Sequence, residues 1–429
     1  VSPARLPAVP AAPGVTLITG ATVIDGTGSE PREGCDIEIR DGVITAVGPT
    51  SPAAARPDSL VDGAGAWLMP GFVDTHVHLT MPNGARPEDE RLKFAEEHAF
   101  ATAHSMRLTL EAGVTAARDL SGLTPGYRNA VAQGLIDGPR MHMSIALLSP
   151  TGGHADPVHA NGSVAGYVAY EPAPSWAVVD TDDEVVKAVR TLMRTGADVI
   201  KVCTTGGIST PTDSPDDLGL SEEQVRLIAT EVARRGGRAI AAHAQGNAGA
   251  LAAVRGGTTS LEHGYEMSEE LIEEMRAHGT VLVPTLSTLS LTPDPAVKPA
   301  AVVAKKKEWQ VRGRDAAARA ISAGIPVALG TDAGIHPHGR NLAELGHLVD
   351  AGMSPLAAIH AGTQAGARLL GLDARLGALA PGMLADIVLV CVDPLARIHE
   401  LADARTVEVV VQGGRLVKDA AGRTSTPRG

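Results

Sequence analysis

Five stretches of this chain end alike, in a few small or β-branched residues, then an ionisable side chain, then a loop containing glycine. They are Gly71-Phe-Val-Asp-Thr-His76-Val-His78, Asp198-Val-Ile-Lys201-Val-Cys203, Ala239-Ile-Ala-Ala-His243, Thr259-Ser-Leu-Glu-His263 and Val327-Ala-Leu-Gly-Thr-Asp332. Near-continuous apolar runs of this length read as parallel strands covered on both faces. Between them lie helical signatures. Thr181 to Glu184 and Ser221 to Gln224 are capping boxes whose amphipathic stretches stop at Gly196 and Gly236, and Ser268 opens a helix that Gly279 closes. Strand and helix alternating in this way predict an α/β chain, specifically a (β/α)8 TIM barrel, whose chemistry gathers at the carboxyl ends of its strands. Eight strand candidates fit: Leu68 to His78, Val114 to Asp119, Arg140 to Leu147, Asp198 to Cys203, Arg238 to His243, Thr258 to His263, Val281 to Pro284 and Val327 to Asp332.

Side chains two apart on a strand point to one face, so His76 and His78 aim at the same place. A lone His-x-His is weak, because two histidines on a strand are often only polar surface. Further ionisable groups closing further strands make a metal site at one rim of the barrel the better reading. The long stretches Leu148 to Asp180, Thr204 to Gly219 and Leu286 to Ala300 each follow a strand and precede a helix, which predicts a wall or lid over that rim. Substrate selection belongs to such loops. The candidate substrate-binding residues are His154, flanked by glycines in Thr151-Gly-Gly-His154, Tyr170 on the same loop, and His338, which follows the last strand with His336 and Arg340.

The two ends read differently. Val15 to Val47 holds short alternating strands with turns at Asp25-Gly26 and Asp41-Gly42, and Asp386 to Val390 with Thr406 to Val417 reads similarly, with a turn at Gly413-Gly414. The predicted organisation is a flexible lead-in over 1–14, a small β-sandwich from 15–66 and 383–420, and a catalytic barrel over 67–382. Aromatic residues make up only 2% of the chain, so Ala, Val, Leu and Ile must pack the core and a base-stacking platform is disfavoured. The net charge of −12 argues against nucleic-acid and anionic-membrane partners, and Lys305-Lys306-Lys307 reads as a solvated helix face. No apolar run is long enough to span a bilayer. Three cysteines cannot all pair, and Cys203 reads as a core residue rather than a nucleophile. A chain opening on Val1 and a proline-rich segment fits a removed secretory signal, an expectation of export to the periplasm or medium, and equally a trimmed start.

The segments MPGFVDTHVH, DVIKVCTTGG, AAHAQG, SLEHG, LGTDAG with HPHGRN, and LGALAPGMLADIVLV resemble the metal-dependent amidohydrolase superfamily, from about Val15 to Val417. The branch they resemble is prolidase-like and Xaa-Arg/Lys carboxypeptidase-like, and includes ochratoxin-hydrolysing amidases. The resemblance implies two metal ions held by His76, His78, Lys201, His243, His263 and Asp332, with Lys201 carbamylated, and a homo-oligomer. Physical chemistry makes sense of the lysine. An ammonium beside two divalent ions would be repelled, whereas N-carboxylation turns it into an anionic oxygen ligand. The competing reading is a strand-end lysine paired with Asp332. Imidazoles with carboxylates suit zinc, which manganese, cobalt or nickel can replace in vitro.

The implied activity is hydrolysis of the amide bond of dipeptides or N-acyl amino acids with a free carboxylate. A metal-bridging hydroxide attacks, and Asp332 carries the proton to the leaving amine. A mononuclear deaminase of the same fold, a lactonase or phosphotriesterase on the same site, and a non-catalytic scaffold are the alternatives. Deaminases need neither the Lys201 nor the His263 ligand, and a scaffold would not keep all six.

Overall fold

A computed structural model describes residues 6–49, 57–83, 92–158, 162, 177–209, 213–293 and 300–426. Its architecture is α/β with a β-rich unit built from both ends of the chain. Phe72–Val77, Val114–Asp119 and Arg140–Met143 form a parallel three-stranded sheet. Leu147–Leu148, Val199–Cys203, Ala239–Ala244, Ser260–His263 and Val281–Val283 form a parallel five-stranded sheet in chain order. Backbone bonds continue between them. Asp198 N donates to Met143 O at 2.9 Å on one side. On the other, Val327 bridges Leu282, Thr75 N donates to Leu329 O at 2.9 Å and Asp332 N to His76 O at 2.7 Å.

The expected caps hold the helices that return the chain. Thr181 and Glu184 exchange bonds at the start of Asp182–Thr195, Ser221 and Gln224 do so for Glu222–Ala233, and Ser268 Oγ accepts from Leu271 N ahead of Glu269–His278. Gly196 and Gly279 stop two of these helices with φ of 103° and 66°, conformations that cost glycine nothing. The core is aliphatic, with Phe72, Tyr265 and Trp309 among its few buried aromatics.

The β-rich unit is one hydrogen-bonded network of nine strands around an apolar cluster that includes Ile18, Ile37, Ile44, Leu68, Leu389 and Val409. Arg32–Arg40 and Val43–Gly48 turn tightly at Asp41-Gly42, both at positive φ, as a two-residue hairpin turn requires. Val15–Val23 pairs with Arg32–Arg40 on one edge, and with Ser59–Asp62 and then Trp67–Pro70 on the other. Trp67–Pro70 then pairs with Ile387–Val390 from the far end of the chain.

Four features depart from the sequence reading. Leu68 to His78 is two strands. It changes sheets at Gly71, whose amide donates to Asp386 O at 2.8 Å and whose Cα packs so closely that a Cβ would fall 2.1 Å from Thr115 Oγ1. Arg140 to Leu147 breaks after Met143, where Ile145 takes φ of 70° and sends Leu147–Leu148 to pair with Lys201 and Val202. Val327 to Asp332 makes bridges and bonds but no regular strand. Residues 6–14 are extended but tied down, with Pro7 O accepting from Arg140 Nη1 at 3.0 Å and Ala12 N donating to Gly413 O at 3.2 Å.

Candidate metal centre

His76, His78 and Asp332 each offer a donor atom, and these atoms all lie within 4.8 Å of one another. His76 Nε2 is 3.5 Å and His78 Nε2 3.2 Å from Asp332 Oδ1. Buried partners fix the His76 ring from behind. Its Nδ1 lies 2.8 Å from Glu262 Oε2, and Glu262 also accepts from Arg118 Nη2 at 2.8 Å and Ser260 Oγ at 2.5 Å. A carboxylate on Nδ1 puts the ring proton there and leaves the Nε2 lone pair facing Asp332. Two acceptors facing each other need something positive between them, and a divalent cation meets that need.

His243 and His263 continue the row. The His76 and His263 ring centroids are 5.1 Å apart and those of His243 and His263 4.5 Å. His243 Nε2 donates to Gly206 O at 3.1 Å, which frees Nδ1, and the Thr285 hydroxyl lies 2.8 Å from His263 Nδ1. Burial holds His76, His243 and His263 well below the usual imidazole range, with Lys201 reinforcing the effect in each, so all three are neutral and able to ligate. Burial opposes charge on His78 as well, but the bond to Asp332 outweighs it and raises that pKa. Asp332 is held low against its burial by His76 and His78.

Two of these groups sit on strained backbone. His263 has φ of 73° and Asp332 of 56°. Left-handed non-glycine residues cost about 1–3 kcal/mol each and persist where surrounding structure imposes them. At His263 the kink breaks strand alternation, which lets Glu262 support His76 while His263 joins the cluster.

Lys201 is 1% exposed, and its Nζ has no hydrogen-bond partner among the described residues. It forms no ion pair with Asp332, which removes the strand-end pairing the sequence left open. Burial lowers its pKa to about 8. A buried orphan amine that loses its proton readily, among neutral imidazoles and an acid, fits a residue that becomes a ligand by N-carboxylation. Neighbouring Cys203 is pushed up to about 12 by burial, which fits a core thiol.

Of the substrate-binding candidates, the structure brings His154 to the cluster. Its ring stacks on His243, with centroids 4.1 Å apart and planes 19° apart, and its Nδ1 lies 2.7 Å from Asp213 Oδ2. Gly207 makes room, since a Cβ there would fall 2.2 Å from His154 Cε1. His338 lies beside the backbone of His78. Its Nε2 donates to Met81 O at 3.0 Å and its amide to Asn83 Oδ1, so it ties two loops together. His336 donates to Arg340 O, and the Arg340 side chain is exposed. Tyr170 lies outside the described residues.

Sequence reasoning passed over the supporting acids. Asp74 joins strand to loop through Thr331 and Asn341, and Asp119 accepts the amides of Leu79, Ser121 and Leu123. Burial raises each to about 6. Glu344 caps Leu286–Ser290 through the amides of Leu286 and Ser287, in a segment the sequence treats as plain loop. For Asp74, Arg118 and Asp119 the signal was a charge inside an otherwise apolar strand, where only paired charges survive, whereas Glu344 lies in the helix Ala343–Asp350 with no such mark.

The model of the amidohydrolase family matches residues 67–417. This chain belongs to that family. It is a hydrolase acting on amide bonds, of the prolidase and ochratoxinase type. It is 33% identical to the ochratoxinase of Aspergillus niger over 423 residues, covering 94% of this chain and 87% of the relative. Among solved structures, it resembles a prolidase complexed with N-methylphosphonate-L-proline, with a TM-score of 0.86, 30% identity, and coverage of 94% of this chain and 100% of that one. It also resembles a Xaa-Pro dipeptidase with bound methionine, with a TM-score of 0.84, 28% identity, and coverage of 94% and 99%.

Proposed function

We propose that this amidohydrolase is a binuclear metal enzyme that cleaves the amide bond of dipeptides or N-acyl amino acids carrying a free carboxylate. The observation that carries the reading is the orphaned, buried Lys201 Nζ, whose charge acts on His76, His78, His243, His263 and Asp332. His76, His78 and Asp332 would hold one cation and His243 and His263 the other, with Lys201, once carboxylated, supplying an anionic oxygen ligand. Carboxylation joins the neutral Nζ to carbon dioxide and releases one proton. Zinc suits this donor set, and such ions when bound activate water and polarise the scissile carbonyl.

The chain's own groups supply the rest. Asp332 Oδ would take the proton of the attacking water and pass it to the departing amine. Asp213 and the His243 ring hold His154 in one orientation at the edge of the cluster, where its ring would contact the substrate's carbonyl or carboxylate. Glu262 with Arg118 keeps His76 in one tautomer and orientation. We read the two parallel sheets, with the bonds through 327–332, as one closed (β/α)8 barrel that sets these groups on one rim, flanked by the β-rich unit as a small sandwich.

The test is a panel of dipeptides, N-acyl amino acids and ochratoxin A, offered to enzyme stripped by chelation and then restored with zinc, with or without bicarbonate. Amide cleavage that returns fully only with both supports the reading. Full activity in stripped enzyme, or activity confined to deamination or to ester and phosphotriester substrates, overturns it.

A further inference from the structure

The three consecutive lysines at 305–307 have three different fates. Lys307 is exposed. Lys305 Nζ donates to Gly207 O at 3.0 Å and Asp213 O at 2.6 Å, pinning the start of the helix Ala300–Ser322 to the loop that holds His154. Lys306 is 5% exposed, with no hydrogen bond or ion pair among the described residues. This corrects the solvated-face reading of the run.

Lys306 belongs to the helix's buried face, with Val302, Trp309, Gly313 and Ala317 at helical spacing. That face lies on the site's wall: a Cβ on Gly313 would meet Leu289 and Tyr265, and the Tyr265 ring is 5.3 Å from that of His263. The charge acting on the Lys306 ammonium is Asp332, yet the two form no ion pair and Asp332 is engaged with His76 and His78. Burial lowers Lys306 to about 8, as it does Lys201, and an anion bound beside Lys306 would favour the ammonium. A buried cation without an anion is costly unless a ligand brings the anion.

We propose that Lys306 is the cation that recognises the α-carboxylate of the substrate's leaving amino acid. That this carboxylate belongs to a leaving amino acid rests on the amide-hydrolase reading. The two groups come from different parts of the chain: His154 lies on the loop after Leu147–Leu148, and Lys306 on the helix Ala300–Ser322 that follows Val281–Val283.

The test is calorimetric titration of zinc-loaded enzyme with L-phenylalanine and with L-phenylalaninamide, which differ in the carboxylate alone. Wild type is expected to bind the acid at least about tenfold more tightly. Lys306→Met keeps the length and apolar stem and should abolish that preference, with zinc content and thermal midpoint unchanged. Lys307→Met should keep it. A preference that survives in Lys306→Met, or is absent in wild type, overturns the assignment. If the preference runs through Lys306 but the restored enzyme cleaves no N-acyl amino acid, the carboxylate subsite stands and the amide-hydrolase reading falls.

Discussion

At the scale of single residues, the proposed mechanism gives Asp332 two separable duties, ligation and proton transfer. Asparagine keeps one oxygen for a cation but cannot accept a proton at neutral pH. Asp332→Asn should therefore lower kcat by about 10²–10⁴-fold while most bound metal remains, read by steady-state kinetics beside elemental analysis. Retained turnover would remove Asp332 from the proton path. The sequence displayed the six ligand candidates because each falls at or near the end of a short apolar run, where an ionisable group is conspicuous. Glu262 was hidden by alternation, which sends residues 262 and 263 to opposite faces. Only the positive φ at His263 brings both inward. Lys306 was hidden among identical neighbours, since a run of like charges looks solvated until packing buries one of them.

At the scale of elements, caps and tight turns were legible because their chemistry is local. Thr181 with Glu184, Ser221 with Gln224 and the turn at Asp41-Gly42 all form as read. The strand change at Gly71 was not legible, because one apolar run carries no mark of where its partners change. Its cause is a close approach to Thr115. Thr115 is buried and β-branched and has little room to yield. Gly71→Ala should thus cost about 1–3 kcal/mol, seen as a lower urea midpoint with an unchanged slope. An unaffected midpoint would show the junction to be loosely packed.

For the whole molecule, the β-rich unit and the parallel sheets are locked together by a buried pair. Arg140 Nε is 2.9 Å and Nη2 3.1 Å from the two Asp386 oxygens, and Asp386 also accepts from Gly413 N. Arg140→Ala leaves that carboxylate buried without its cation and should cost about 3–5 kcal/mol. The loss should appear as a lower midpoint in thermal unfolding; no loss would mean the two units are held by their other contacts, such as Gln412 Nε2 to Thr115 O, and by apolar packing. This lock joins positions 246 residues apart, a distance no local pattern in the sequence reports.

The central claim, that a carboxylated Lys201 holds two cations among four imidazoles and an acid, is tested most directly by counting metal per chain. Inductively coupled plasma mass spectrometry of enzyme loaded with zinc and bicarbonate should find about two equivalents in wild type and about one or fewer in Lys201→Ala. A wild type with full activity and no transition metal, or a Lys201→Ala variant that keeps both ions, would contradict it.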